Sequence, residues 1–246
     1  MILLVDIGNT RIKWRCLNSK HEKICGGGFL SKLATLEFLK DLLQVYSIKS
    51  MYLSNVGQET VLTIFKEYSE KNEIKLNLVE SQKSMCGLMF AYQEIERLGV
   101  DRCLAMIGAY DKRSVMVVDA GSAITVDYVN VKGEHVGGYI LPGYEMSRSA
   151  LLGKTAKVGV MASLGSDEPG TNTESCVNNG FAMLYKSFLD GCMVFAKKID
   201  VNRFVLTGGD AQKFAPLSSE YIECYENLVL DGLQKYSIYY EQIPGV

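Results

Sequence analysis

The chain is short of the residues that staple, ligate or export a protein. Its 246 residues hold only two histidines, and its seven cysteines (16, 25, 86, 103, 176, 192 and 224) form no C-x-x-C pair. Neither His21 nor His135 has a Cys or His neighbour, which argues against a structural zinc site and weakens any Ser-His or Cys-His nucleophile. His135 falls in Glu134-His135-Val136 between two strand patterns and is expected to be an exposed turn residue. A dispersed, odd set of cysteines without an export signal reads as reduced thiols filling the core. No apolar run approaches the roughly 18 residues of a membrane span. The apolar N-terminal stretch is broken at Asp6 and lacks a basic leader, so it reads as a core strand and not a signal peptide. A net charge of −2 with mixed signs leaves no footprint for DNA or RNA. With four prolines and no low-complexity run, no linker divides the chain. These absences lead us to expect a globular cytoplasmic protein with neither nucleic acid nor membrane as partner.

What the chain does have is one local pattern, twice. Ile2-Leu3-Leu4-Val5-Asp6-Ile7-Gly8-Asn9-Thr10 leads into Arg11-Ile12-Lys13-Trp14, and Val115-Met116-Val117-Val118-Asp119-Ala120-Gly121-Ser122 leads into Ala123-Ile124-Thr125-Val126. Each copy sets a carboxylate at the end of a buried strand, followed by a tight turn with free N–H groups and a side-chain donor. Such a turn can hold a phosphate through its amides while the carboxylate faces a cation. Two of them facing each other would make a nucleotide cleft. One Asp-x-Gly hairpin alone is more often only a turn; the repetition favours function. In the first copy Gly8 permits close backbone approach, Asn9 and Thr10 can donate to phosphate oxygens, and Lys13 adds charge unless it is only a solvated strand residue.

Periodicity predicts strands near 1–6, 11–17 and 24–30, a helix at about 33–46, a strand at 51–56, a helix near 58–70 and a strand near 74–79. After an irregular stretch around 81–99, a helix is expected from about 101 to 110. The second half restarts with strands near 115–119, 123–131 and 135–141. Helices follow near 144–153 and 173–198, then a strand at 203–207, a short helix, a strand at 221–225 and a last helix near 227–240. Both halves thus open with three consecutive strands and continue in βα alternation, which implies a mixed sheet covered by helices and built twice. The expected halves are 1–112, with the phosphate loop and acceptor residues, and 113–246, with the second Asp-x-Gly turn.

Gly153-Lys154-Thr155 imitates the end of a Walker A loop, but position 148 is Arg where that motif needs Gly, and a helical pattern precedes it. It reads as a helix terminus capped by Gly153. Asp101 and Arg102 open a helix with an acid and a base. Asp101 is either a cap or first-turn residue favoured by the helix dipole or a general base, with Arg102 binding an anionic substrate group.

Five motifs occur in a fixed order: Asp6-Ile7-Gly8-Asn9-Thr10, Leu98-Gly99-Val100-Asp101-Arg102, the turn at 119–125, Gly137-Gly138-Tyr139-Ile140-Leu141-Pro142-Gly143 and Thr207-Gly208-Gly209-Asp210. In this order and spacing they resemble the type III pantothenate kinases, the family that includes the Bvg accessory factor homologues, from Met1 to about Tyr240. The resemblance implies the duplicated actin-like, ribonuclease H-like α/β fold shared with acetate and sugar kinases, heat-shock ATPases and actin: two mixed sheets flanked by helices. It departs at Ile95, where the family usually has Pro, loosening the loop that presents Tyr92, and at Ser122, which replaces the commoner Thr and keeps the hydroxyl.

The resemblance implies ATP-dependent phosphorylation of pantothenate to 4′-phosphopantothenate, the first step toward coenzyme A. ATP would lie against Asp6, Ile7, Gly8, Asn9, Thr10, Arg11, Ile12 and Lys13, with Mg²⁺ oriented by Asp6, and against Ser122; Thr207-Gly208-Gly209 would border the adenosine. Pantothenate would meet Tyr92, Gly99, Val100, Asp101, Arg102 and Thr173, with Asp101 as catalytic base. Asp119 would hold a monovalent cation, K⁺ or NH₄⁺, and the 137–143 segment with its following helix would form a homodimer contact. The alternatives are another small-molecule kinase of the superfamily and a non-catalytic ATP-binding regulator.

Overall fold

Val5 and Val118 sit in strands buried on both faces, the environment that near-continuous apolar runs require, and each strand is central in a five-stranded sheet. The computed structural model describes residues 1–153, 164–166 and 168–242. The chain divides into two units, Met1–Ala109 with Leu228–Val246, and Tyr110–Asn227.

The first unit opens with β1 (Ile2–Ile7), β2 (Arg11–Leu17) and β3 (Lys23–Leu30), followed by α1 (Leu36–Leu43), β4 (Ser50–Asn55), α2 (Glu59–Lys71) and β5 (Lys75–Val79). A small hairpin, β6 (Ser84–Met85) and β7 (Leu88–Met89), precedes α3 (Val100–Ala109). The second unit contains β8 (Val115–Ala120), β9 (Ala123–Val129), β10 (His135–Pro142), α4 (Tyr144–Leu152), α5 (Thr173–Lys198), β11 (Phe204–Thr207), α6 (Ala211–Phe214) and β12 (Glu223–Cys224). Then α7 (Leu228–Glu241) returns to the first unit. Strand order is β3-β2-β1-β4-β5 in one sheet and β10-β9-β8-β11-β12 in the other. In each, the first three strands are antiparallel and the remaining two join parallel to the first. The expected pair of mixed sheets flanked by helices is what the chain builds.

Helix spacing explains the packing. Leu39 and Leu43 of α1, with Leu62 and Phe65 of α2, bury against Leu3, Val5, Ile12 and Trp14 of the first sheet. Tyr185, Leu189, Cys192 and Ala196, three to four residues apart on α5, cover Met116, Val118, Val126 and Tyr128 of the second. Burying a side chain of Leu or Phe size contributes about 1.5–3 kcal/mol. The Thr35 hydroxyl caps α1 by accepting from Phe38 N at 3.0 Å, and Asn172 and Ser175 form a capping box that starts α5 at Thr173. Such caps stabilise a helix by about 1 kcal/mol.

Four expectations need correction. The boundary at 112/113 kept all of 113–246 in the second half, but α7 packs with the first. Arg15 Nη1 pairs with Asp231 Oδ1 at 2.7 Å and Gln234 Oε1 at 2.9 Å, and Gly232 and Gly108 let α7 and α3 cross so closely that a Cβ on either would strike the other helix's backbone. The irregular stretch 81–99 contains the β6–β7 hairpin, turned by Cys86 (φ 49°) and Gly87 (φ 81°). The strand expected at 221–225 shrinks to two residues. His135 is buried, because β10 already begins there and turns the ring inward, where Nε2 lies 3.0 Å from Asp127 Oδ1. Gly153 does cap α4; Lys154 and Thr155 lie outside the described residues. Among those residues, no helix is long and apolar enough to cross a membrane.

Candidate active site

The first Asp-x-Gly turn is held from three sides. Gly8 N donates to Arg11 O at 3.1 Å, closing the turn between β1 and β2. Ser31, just past β3, donates its Oγ to Gly8 O at 2.9 Å and its N to Thr10 O at 3.0 Å. From the β4 side, Val56 N donates to Ile7 O at 3.0 Å, and Gly57 lies so close that a Cβ there would sit 2.8 Å from Gly8 O. Asn9, Thr10 and Arg11 are left exposed while Ile7 and Ile12 are fully buried. The two isoleucines therefore anchor the loop in the core, and only their backbones face the turn. Asp6 and Lys13 are half-buried register partners across β1 and β2, and Asp6 Oδ1 accepts from Ser54 Oγ at 2.9 Å.

Most of the residues expected to meet the acceptor gather at the start of α3. Gly99 O accepts from Arg102 N (3.1 Å) and Cys103 N (3.2 Å), so Gly99 holds the capping position and Asp101 stands in the first turn. A Cβ on Gly99 would collide with Asp101 Oδ1, which itself accepts from Arg102 N at 2.8 Å. Arg102 is 5% exposed. Its Nη1 is 2.8 Å from the Tyr92 hydroxyl, and its guanidinium stacks 5.5 Å from the centre of the same ring. Lys83 Nζ in turn fixes the Tyr92 carbonyl at 2.9 Å. Val100 is buried. Tyr92, Gly99, Val100, Asp101 and Arg102 thus come together, whereas Thr173 lies in the second unit as the exposed first residue of α5.

In the second unit the turn after β8 is shorter, Gly121-Ser122, with Gly121 N donating to Ala123 O at 2.9 Å. Ser122 is exposed, and its carbonyl accepts from Gly143 N at 2.9 Å. Asp119 is half-buried; its register partners are Thr125 on β9 and Thr207 on β11. Gly208 (φ +103°) fits against Ala120 O and Asp119 Oδ1, where a Cβ has no room. That packing revises the adenosine reading, because Gly208 is small to admit the protein's own turn and Thr207 is buried. Gly209 alone of the three has open space beside it.

The donor set is hard oxygen, suited to Mg²⁺ and alkali cations and unsuited to soft metals. Among the described residues no group of three or more His, Cys, Asp or Glu could hold a metal, so any cation here would rest on single carboxylates with carbonyls, water or phosphate. Sequence reasoning missed Ser31, Ser54 and Gly57. Their distance from the motif in sequence hides them; only the β1–β4 parallel pairing, which needs a crossover, brings Ser54 and Gly57 alongside it.

The sequence matches the family model for Type III pantothenate kinase over residues 2–194. A type III pantothenate kinase of Marinobacter nauticus is 35% identical, covering 96% of this chain and 97% of the relative. A solved structure from Campylobacter jejuni, described as a conserved putative Baf family transcriptional activator, superposes with a TM-score of 0.63 at 21% identity, covering 98% of this chain and 100% of that one. The activator of 2-hydroxyisocaproyl-CoA dehydratase from Clostridium difficile, solved with bound ADPNP, shares the fold at a TM-score of 0.52 and 13% identity, covering 100% and 98%.

Proposed function

Because this chain belongs to the type III pantothenate kinase family, and so phosphorylates pantothenate with ATP in coenzyme A biosynthesis, we propose that Asp101 is the base of that transfer. The observation that carries this reading is the fixed Asp101–Arg102–Tyr92 arrangement at the start of α3. Asp101 takes the proton of the pantothenate primary hydroxyl as its oxygen attacks the γ-phosphoryl group and ADP leaves. Arg102, its plane set by Tyr92, binds the pantothenate carboxylate through a planar fork. Gly99, Val100 and Thr173 complete the acceptor residues. A pure nucleotide binder has no use for an acid beside a substrate-facing arginine, which counts against a regulator.

On the ATP side, the exposed Asn9-Thr10-Arg11 edge and the backbone of Ile7, Gly8 and Ile12 hold phosphate oxygens, with Lys13 adding positive charge. Asp6 orients Mg²⁺, which when bound neutralises phosphate charge. In the second unit Ser122 donates to the nucleotide, and Asp119 holds K⁺ or NH₄⁺. Exposed Val136, Tyr139, Ile140 and Met146 on β10 and α4, beside a shallow, mainly apolar groove lined by Pro142, Met146, Ser147, Ala150, Leu151 and Phe181, support a homodimer through this face. The site of action is the cytoplasm.

Asp101→Asn tests the assignment. Turnover in an ADP-release assay with pantothenate should fall roughly 10²–10⁴-fold while ATP affinity holds. Near-normal turnover would return Asp101 to a helix-start role, and ADP release with sugars but not pantothenate would overturn the acceptor.

A further inference from the structure

Each Asp-x-Gly carboxylate has a buried hydroxyl residue beside it on the parallel neighbour strand. Asp6 on β1 is in register with Ser54 on β4, and Asp119 on β8 with Thr207 on β11. Ser54 is 0% and Thr207 1% exposed. Both strands are otherwise apolar at their buried positions, with Met51, Tyr52 and Leu53 in one and Phe204, Val205 and Leu206 in the other. A hydroxyl buried at the end of such a strand destabilises the fold unless a partner satisfies it. For Ser54 that partner is Asp6 Oδ1 at 2.9 Å. The two strands share no other polar position, yet the same chemical group recurs beside the equivalent carboxylate.

We propose that Ser54 is a positioning residue that fixes the rotation of the Asp6 carboxylate through its hydrogen bond, and that Thr207, matched to it by register and burial, does the same for Asp119. This rests on reading Asp6 as the phosphate-loop carboxylate and Asp119 as the cation ligand. A carboxylate has two oxygens and about four acceptor sites. A donor from the parallel strand engages one oxygen and directs the other toward the ligand. Ser54 thereby sets how Asp6 meets the magnesium nucleotide, and Thr207 sets how Asp119 meets a monovalent cation.

The test is calorimetric binding of a non-hydrolysable ATP analogue with Mg²⁺, titrated with and without K⁺, beside pantothenate binding. Ser54→Ala should weaken the analogue roughly ten- to a hundredfold, the effect of losing a hydrogen bond to a charged group, and leave pantothenate affinity unchanged. Ser54→Thr should recover most of it, and Ser54→Cys, near-isosteric with a weak donor, should reproduce the loss if the alanine variant fails to fold. Thr207→Val should raise the K⁺ concentration for half-maximal tightening about tenfold without moving the Mg²⁺ titration, and Thr207→Ser should restore it. Wild-type binding in Ser54→Ala or Thr207→Val, or equal loss of nucleotide and pantothenate affinity, would overturn the proposal. Asp6→Asn and Asp119→Asn separate the two levels. If they too bind normally, the site reading fails; if they lose binding while the hydroxyl variants do not, only the positioning role fails.

Discussion

The two Asp-x-Gly turns occupy the same place in equivalent sheets and differ in what flanks the carboxylate. Asp6 lies between Lys13 on the antiparallel side and Ser54 on the parallel side, and its turn spans three residues, Gly8 to Thr10. Asp119 lies between Thr125 and Thr207, and its turn spans two, Gly121 and Ser122. On the roles proposed above, the two turns keep the carboxylate and divide the work. At 4 Å and an effective dielectric constant of 20, one unit charge acts on another with about 4 kcal/mol. A lysine beside Asp6 therefore suits a loop that must attract phosphate, while the same lysine beside Asp119 would repel a bound cation by that amount.

The largest effect on this comparison should come from neutralising each carboxylate in turn. Asp6→Asn should lower kcat/KM for ATP roughly 10²–10³-fold, the usual loss for a preorganised electrostatic contact, at every K⁺ concentration. Asp119→Asn should cost less at saturating K⁺ and mainly raise the K⁺ or NH₄⁺ concentration required. The wild type with saturating Mg²⁺ should work poorly in Na⁺ alone. Steady-state assays over a grid of Mg²⁺ and K⁺ check all three, and full wild-type activity with Mg²⁺ as the sole cation would break the comparison.

Sequence made the duplication legible because both copies keep their chemistry within nine residues of continuous chain, and because apolar periodicity maps directly onto strand and helix faces. Helix α5 begins at the expected Thr173 because Asn172 and Ser175 are a local capping signal. What stayed hidden depends on pairing across the fold. Ser54 is an ordinary strand serine until β4 lies against β1. His135 resembles a turn residue until β10 turns it toward Asp127. Helix α7 follows the second half in sequence, and contacts such as Arg15 with Asp231 and Gln234, Lys235 with Ile107 and Gly108, and the Gly108–Gly232 crossing assign it to the first.

A smaller effect tests the proposed role of Arg102, in the first unit, in binding the acceptor. Arg102→Lys keeps the charge but loses the planar fork and its stacking on Tyr92. Pantothenate KM should rise about tenfold, as expected for one lost charge-assisted hydrogen bond, with ATP KM nearly unchanged. Equal changes in both would make Arg102 a structural partner of Tyr92.

The smallest effect lies at the sheet edges, where the units again differ. Edge strand β5 pairs with β4 over five residues, but β12 pairs with β11 over only two. The second sheet compensates with an ionic fork: Arg203 Nε and Nη2 reach Glu223 Oε1 and Oε2 at 3.1 and 2.7 Å, and the Tyr225 hydroxyl joins at 2.9 Å from Nη2. Hydrogen bonding from Arg203, assisted by Tyr225, holds the Glu223 carboxyl below its ordinary value. A carboxylate with a depressed folded-state pKa contributes stability that is fully present above the unfolded value, near 4.5. That contribution is lost as pH falls through the lower, folded value. Glu223 is 29% exposed in its side chain, so screening limits the contribution to about 1 kcal/mol. Thermal midpoints measured from pH 7 to pH 3 should fall less steeply for Glu223→Gln than for the wild type, the two curves converging at the acid end. Parallel curves would mean that the two ladder pairs of β12 hold the edge without the fork.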